Sequence, residues 1–364
     1  MKKVLQVMDG LGRGGVQTFI MNNIEMLYKK GIICDFLIRR DNSVYTEEIS
    51  KYGGKVILTD PFPKKAISNY FQTKSYLKRH ASEYCAIHIH ANALFYLLPI
   101  IMAKHYGIPV RIIHSHSTQT KIPILKGIHA FNRWIIKKYS THFLACGQEA
   151  GHWMFDNQPF EIIKNCIDEE KFCHNDLDRK VIRERFSIPN DAVLIGHVGA
   201  FNKPKNHQFI IDVFYEFLKI MPTAKLILLG TGMFEDEIKE KVKSMSIENS
   251  VIFAGSQGEI YKYYHAMDAF LFPSLFEGLP FTLIESQMAG LPSLISDIIT
   301  DECVVTDIVY KMSLDEPANV WAKKLNEIAN LKNDRESYCN IIGSSGYGIK
   351  DSASRLSAIY LGAN

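Results

Sequence analysis

The run AVLIGHVGAFNKPKNHQF, residues 192–209, reads as a short apolar strand that breaks at Gly199, crosses a lysine-rich turn and enters a segment of helical period. A β-branched run of strand length followed by a turn and an amphipathic stretch is the repeating unit of parallel α/β folds. Its place in the chain is what decides the fold. Midway through 364 residues it restarts a pattern that the first half has already used.

Toward the N-terminus, strands are read at KVLQVM, CDFLIR, KVILT, AIHIH, RIIHSH, THFLAC and EIIKN. Helices are read at VQTFIMNNIEMLYKKG, stopped by Gly31, and over 64–80 and 125–139. Toward the C-terminus, AKLILLG, SVIFAG, AFLFPS and PSLIS follow, each with a helix-like stretch after it. One hydrophobic core seldom organises a chain this long. The expectation is an α/β chain of two Rossmann-like doubly wound domains, crossing between Cys166 and Asp191, where charged and turn residues gather. Ligands of such open sheets bind beyond the C-terminal strand ends, so two sheets imply a site in the cleft between them. The closing DSASRLSAIYLGAN has helical period, but its own pattern does not say where it packs.

The net charge of +3 hides an asymmetry: residues 1–165 hold 22 Lys and Arg against 11 Asp and Glu, and the remainder 20 against 28. The first part is therefore the one expected to attract anions such as lipid headgroups or phosphorylated acceptors. A basic surface without a specific partner fits the same numbers. The seven cysteines include no CxxC pair and their number is odd, so they are read as reduced thiols. The opening MKKVLQVMDG lacks the apolar run of a signal peptide. The longest apolar stretch, ANALFYLLPIIMA, falls short of the roughly 20 residues that span a bilayer. A cytoplasmic chain that at most rests on a membrane is expected.

Several segments carry chemistry. DGLGRGGVQTF follows the first strand, and its Gly10, Gly12 and Gly15 satisfy G-x-G-x-x-G. A dinucleotide site also wants an acid at the end of strand two, where this chain has Arg39 and Arg40; these suit a 2′-phosphate and keep an NADP oxidoreductase open. FPSLFEGLPFTLIESQMAGLP places Glu277 on a loop and Glu285 on a helix expected to begin with Pro280 at N1. Carboxylates accept from sugar and ribose hydroxyls, and Gly278 lets backbone approach a ligand. Read alone, a glutamate placed like Glu285 on a helix is more often a solvated or capping residue. Lys203 and Lys205 follow a strand end, where an ammonium can neutralise a diphosphate leaving group.

The pairs His88 with His90 and His114 with His116 each lie two apart on a strand, hence on one face. Neither has a nearby acid or cysteine to complete a zinc set, so no metal is expected. KIPILKGIHAFNRWIIKKY interleaves Lys121, Lys126, Arg133, Lys137 and Lys138 with Ile124, Leu125, Ile128, Phe131, Trp134 and Ile135. That pattern belongs to an interfacial helix or to a buried one with a basic rim. P-loop, HExxH, GxSxG and kinase motifs are all missing from the chain.

Taken together, GGVQTFIMN, IKNCIDEEKF, GAFNKPKNH, FEGLPFTLIE and SDIITDE, in this order over nearly the whole chain, resemble glycosyltransferase family 4 (GT4). The likeness is closest to its bacterial capsule and exopolysaccharide branch. The resemblance implies retaining glycosyltransferases of GT-B fold, with an acceptor-binding domain over 1–170, a nucleotide-sugar domain over 171–345 and a last helix, 346–364, returning to the first. By position it implies that Glu277 contacts the transferred sugar, Glu285 the ribose and Lys205 the diphosphate, with Lys203, Gly278 and Leu279 beside them. Gly14 with Gly15 would form the loop that closes over the diphosphate, and His116 or His114, the former preferred, would stand near the reacting centre.

The expected reaction moves a hexose or N-acetylhexosamine from a UDP-sugar to a lipid-diphosphate-linked saccharide. The nucleotide-sugar is a substrate, and neither cofactor nor nucleic acid is called for. Ala200 departs from the family, which has an arginine there that shares diphosphate binding. A binding-only partner subunit therefore stays open as an alternative.

Overall fold

The computed structural model describes residues 1–12, 14–117 and 123–362, with backbone alone for 123–125. Arg13 of the glycine run, and the side chains of Lys121, Ile124 and Leu125, lie outside the described residues. The chain divides into two compact units, Met1–Cys166 with Gly346–Asn364, and Ile167–Ser345.

The first unit holds β1 (Lys2–Met8), β2 (Ile32–Ile38), β3 (Val56–Leu58), β4 (Tyr84–Ala91), β5 (Val110–Ser115), β6 (His142–Ala145) and β7 (Glu161–Ile162). They pair in the order β3-β2-β1-β4-β5-β6-β7, every pair parallel. Helices cover both faces, which is why the central strands are near-continuous apolar runs rather than alternating ones. Helices Gly15–Lys29 and Ile349–Tyr360 pack on one face through Phe19, Ile24, Leu356 and Ile359. Helices Ala66–His80, Leu98–His105, Pro123–Tyr139 and Gln148–Phe155 cover the other through Leu77, Ile100, Ile136 and Met154. Gly31, at φ +81°, ends the first helix in the left-handed conformation that glycine adopts without strain.

The second unit holds β8 (Leu194–Val198), β9 (Lys225–Leu229), β10 (Val251–Gly255), β11 (Ala269–Phe272), β12 (Ser293–Ser296) and β13 (Val309–Met312), in the order β10-β9-β8-β11-β12-β13. Strand β13 was not expected. It is a half-exposed edge strand, so Val309–Met312 lacks the apolar run that marks its neighbours. Both sheets reverse their strand order, at β1/β4 and at β8/β11. Open α/β sheets leave a crevice for ligands at such points.

The stretch read as the crossing, Cys166 to Asp191, holds a helix, Asp176–Arg185, capped by the Asn175 side chain, which accepts from Leu177 and Asp178 N–H at 2.9 and 3.2 Å. Its charges are structural. Arg179 and buried Arg183 clamp Asp268 at 2.7 and 3.2 Å, and Asp268 accepts from the Leu194 N–H at 2.7 Å, tying the helix to the start of β8. The expectation of reduced thiols is corrected: Cys173 and Cys339 form a disulfide, with Cα atoms 5.3 Å apart and a sequence separation of 166. No local spacing announces a pair so distant. No described helix is long and apolar enough to cross a membrane.

Candidate active site

At the β8/β11 switch point the second unit builds a short, braced turn. Lys203–Lys205 form one turn of 3-10 helix, with the Asn202 carboxamide accepting from the Lys205 N–H at 3.3 Å. Asn206 follows in left-handed conformation, φ 56°, and donates to the Pro273 carbonyl at 3.0 Å; the Leu275 N–H donates to the Pro204 carbonyl at 2.7 Å. These bonds lash the turn to the loop after β11. They bring together two residues far apart in sequence: Lys205 Nζ stands 2.7 Å from Glu277 Oε1 and 4.7 Å from the centre of the Phe272 ring. The two side chains are only 16% and 14% exposed. Such a pair presents one cation and one acceptor together, the first for phosphate and the second for a hydroxyl.

Beneath the turn lie two residues that sequence reading did not single out. His197 is buried with Nδ1 against the Leu271 carbonyl at 2.9 Å and Nε2 without a partner. His207, its ring stacked 4.1 Å from that of Phe201, has no partner on either nitrogen. Burial pushes both rings toward neutrality, His207 to about 4. Lys203 is exposed and lines a cavity of about 280 Å³ with Asn202, Asn206, His207, Phe234 and Leu275, apart from the ion pair. Ala200 is an exposed methyl at the bend after β8.

Glu285 sits on helix Phe281–Met288, which starts one residue later than expected because Pro280 takes the N-cap rather than N1. Its Oε2 accepts from the buried Tyr264 hydroxyl at 2.8 Å. Burial pushes the carboxyl up to about 7, the Tyr264 bond opposing it. A carboxyl held above its unfolded value of 4.5 favours the folded state at low pH and loses that advantage as pH rises through the folded value. The second unit is therefore expected to lose stability between pH 4.5 and about 7, and Glu285→Gln to lack this part of the slope in melts across that range. Gly278 and Leu279 lie on the loop between Glu277 and the helix. A Cβ built on Gly278 meets nothing within 4 Å, so the space before that backbone is open.

The first unit gathers its histidines at the β1/β4 switch point. His90 Nδ1 lies 2.9 Å from His116 Nε2, and His90 Nε2 lies 2.9 Å from Gln6 Oε1. His88 Nδ1 meets the Tyr360 hydroxyl at 2.7 Å, and His88 Nε2 meets His114 Nδ1 at 3.2 Å. The Gln6 amide nitrogen donates to Tyr360 Oη at 3.2 Å, leaving Gln6 Oε1 to accept. His90 then carries its proton on Nε2, its Nδ1 accepts from His116 Nε2–H, and His116 keeps a lone pair on Nδ1. Burial depresses all four histidines, His116 to about 3, so the chain is neutral near pH 7. His114 is fully buried, while His116 lies just past β5 and is partly exposed, so of the two it is the one that reaches the strand-end side. Gln6 and Tyr360 have no sequence signal of their own.

The glycine run has a different explanation from a dinucleotide. A Cβ on Gly10 or Gly12 would fall 2.3 or 3.0 Å from the Asn42 side chain, whose Oδ1 accepts from Leu11 N–H at 3.1 Å. Arg39 and Arg40 both bind Asp9, at 3.1 and 2.7 Å, and Arg39 lies 4.2 Å over the Tyr96 ring. Packing within the unit thus accounts for the residues that had suggested NADP. Gly14 stands in extended backbone at the N-cap of the helix that Gly15 begins.

Residues 13–171 match the family model described as Glycosyltransferase Family 4, and residues 178–342 the model Glycosyl transferases group 1. Over 371 aligned residues the chain is 30% identical to EpsF of Bacillus subtilis (strain 168), which bears a glycosyltransferase name, covering 99% of this chain and 96% of EpsF. The chain belongs to glycosyltransferase family 4. This family 4 enzyme is also 23% identical, over 238 residues, to UDP-Gal:alpha-D-GlcNAc-diphosphoundecaprenol alpha-1,3-galactosyltransferase of Escherichia coli, covering 61% of this chain and 60% of that one. Among solved structures, Anabaena HepE in complex with UDP superposes with a TM-score of 0.77 over 98% of each chain at 14% identity, a likeness of fold. The family 4 glycosyltransferase has the GT-B architecture, and an NADP oxidoreductase is set aside.

Proposed function

We propose that this glycosyltransferase moves a hexose or N-acetylhexosamine from a UDP-sugar to a lipid-diphosphate-linked saccharide, with retention at the anomeric carbon, in capsule or exopolysaccharide synthesis at the cytoplasmic face of the membrane. The observation that carries the donor half is the Lys205–Glu277 pair at the β8/β11 switch point. Lys205 neutralises the leaving diphosphate, Glu277 grips a hydroxyl of the transferred sugar, and Glu285 accepts from the ribose. Gly14 and Gly15 close over the diphosphate, and His116 offers its Nδ1 lone pair to a hydroxyl near the reacting carbon. The Escherichia coli relative's UDP-Gal donor and diphosphoundecaprenol acceptor, and the UDP bound to HepE, support the choice of nucleotide and of a lipid diphosphate.

In the step itself the bond from the anomeric carbon to the diphosphate oxygen breaks, and UDP leaves with the electron pair. The acceptor oxygen bonds to the same face, and its proton passes to the departing phosphate. Catalysis is positioning plus stabilisation of leaving-group charge. The scheme uses no metal and no cofactor.

The test is a panel of UDP-, GDP- and ADP-sugars, scored by thermal shift and by slow release of free nucleotide. UDP-sugars alone are expected to raise Tm and to be hydrolysed. Preference for GDP- or ADP-sugars would overturn the donor assignment. A UDP-dependent shift with no release toward any acceptor would favour a binding-only subunit, the reading that the exposed Ala200 methyl keeps in play.

A further inference from the structure

Helix Ala66–His80 is amphipathic the wrong way round. An ordinary surface helix turns its apolar stripe inward and its polar face to water. This one buries Asn69 and Thr73 along with Leu77 and exposes Ile67 at 76%, Phe71 at 61% and Tyr70 at 37%. The buried polar groups are satisfied: Asn69 Nδ2 donates to the Asp60 carbonyl at 2.7 Å and its Oδ1 accepts from the Tyr96 hydroxyl at 2.8 Å. The inward face is thus a settled structure, and the outward apolar face is what lacks a partner.

Helix Pro123–Tyr139 repeats the feature. It buries His129 and Ile136 and exposes Ile128 at 43%, Phe131 at 66% and Trp134 at 75%, spaced three residues apart along one side. Both helices contribute to the same core cluster on one face of the sheet, and both touch helix Leu98–His105. Their outward sides therefore belong to one layer. Single exposed apolar residues are ordinary, but two aromatic stripes in one layer are not.

Charge says what covers them. Neither helix contains an acidic residue, while Lys74, Lys78, Lys126, Lys137 and Lys138 are exposed along them. Aromatic rings rimmed by lysines, with no carboxylate on either helix to repel lipid phosphate, suit the headgroup region of a bilayer. We propose that this two-helix layer seats the enzyme on an anionic lipid bilayer, with Ile67, Phe71, Phe131 and Trp134 inserted. The idea deepens the lipid-linked acceptor of the proposed function, yet it stands on different residues and is tested without turnover.

The full chain is mixed with vesicles of phosphatidylcholine alone or with phosphatidylglycerol added, and bound protein is sedimented. Binding is expected only to the anionic vesicles, weaker at high salt. The double variant Phe131→Ser/Trp134→Ser is expected to lower partitioning by about tenfold or more, and Ile67→Ser/Phe71→Ser likewise. All four side chains are exposed, so melting curves of both variants should match the parent. Failure to sediment, indifference to phosphatidylglycerol, or normal binding by the Ile67→Ser/Phe71→Ser variant would each overturn the proposal. So would lipid-free self-association dissolved by the same substitutions, which would give the face to a second copy. Transfer to a water-soluble acceptor should survive in both variants; its absence in the parent chain would count against the proposed function and leave the bilayer result standing.

Discussion

Replacing Lys205 by alanine is expected to lower kcat for transfer by about 10²–10³-fold, the scale of losing one preorganised group that stabilises developing charge. Glu277→Gln is expected to lose most activity as well, through the sugar hydroxyl that the proposed function assigns to it. A sceptic would assign the pair a structural role, since its members stand 2.7 Å apart and are largely buried, so that losing either strands the other. The double variant Lys205→Met/Glu277→Gln separates the two views. Removing both charges restores whatever stability a single change costs, because a neutral pair of similar size needs no compensation. It restores no contact to the diphosphate that the proposed function gives to Lys205. Wild-type-like melting with activity still lost is the expected outcome, read from Tm beside kcat and KM. Near-normal turnover in either single variant would remove the residue from the site.

Gly230→Ala is expected to cost about 2–4 kcal/mol of stability in the second unit and at least about tenfold in UDP affinity. Gly230 has φ +139°, and a Cβ there would lie 2.1 Å from the Gly199 carbonyl oxygen and 2.8 Å from its carbon. Those atoms are backbone, and the Gly199 N–H is itself bonded to the Leu229 carbonyl at 2.9 Å, so nothing yields cheaply. The strain falls on the bend between β8 and the Lys205 turn. Gly278→Ala is the contrast, since a Cβ there meets only open space and the fold should not register it. Any loss of UDP binding in Gly278→Ala then reports how closely ligand approaches that backbone. Equal melting temperatures and equal UDP Kd for Gly230→Ala and the parent would refute the argument.

What the sequence makes legible follows from the range of the contacts involved. Central strands are buried apolar runs and announce themselves, and the half-exposed edges β3, β7 and β10 still carry β-branched residues, whereas β13, with Tyr310 and Lys311 at its centre, does not announce itself. The charges of Asp176–Arg185 mark a crossing in the sequence without showing what they bind, because their partner, Asp268, lies far along the chain. The meeting of Lys205 with Glu277 was approachable through family resemblance, never through spacing, because 72 residues separate them. The pair His114 and His116 shows the limit of period-two reasoning: alternation puts both on one face, and only burial separates the interior ring from the one at the strand end. Helix Ala66–His80 was found by its period, but period carries no direction, and the usual assumption that the apolar side faces inward fails there.

Tyr360 has a consequence for how the molecule comes into being. Its hydroxyl closes the hydrogen-bond chain of Gln6 and His88, 354 and 272 residues earlier. As the chain leaves the ribosome, the first unit emerges first, yet the glutamine and histidine at its heart, though bonded to His90 and His114, lack the Tyr360 hydroxyl until every residue from 167 to 345 has been made. The half synthesised first is the half finished last. A nascent chain halted anywhere in the second unit would carry a first half with an unfinished interior, and a free-standing first half should be sought only with residues 346–362 rejoined to it.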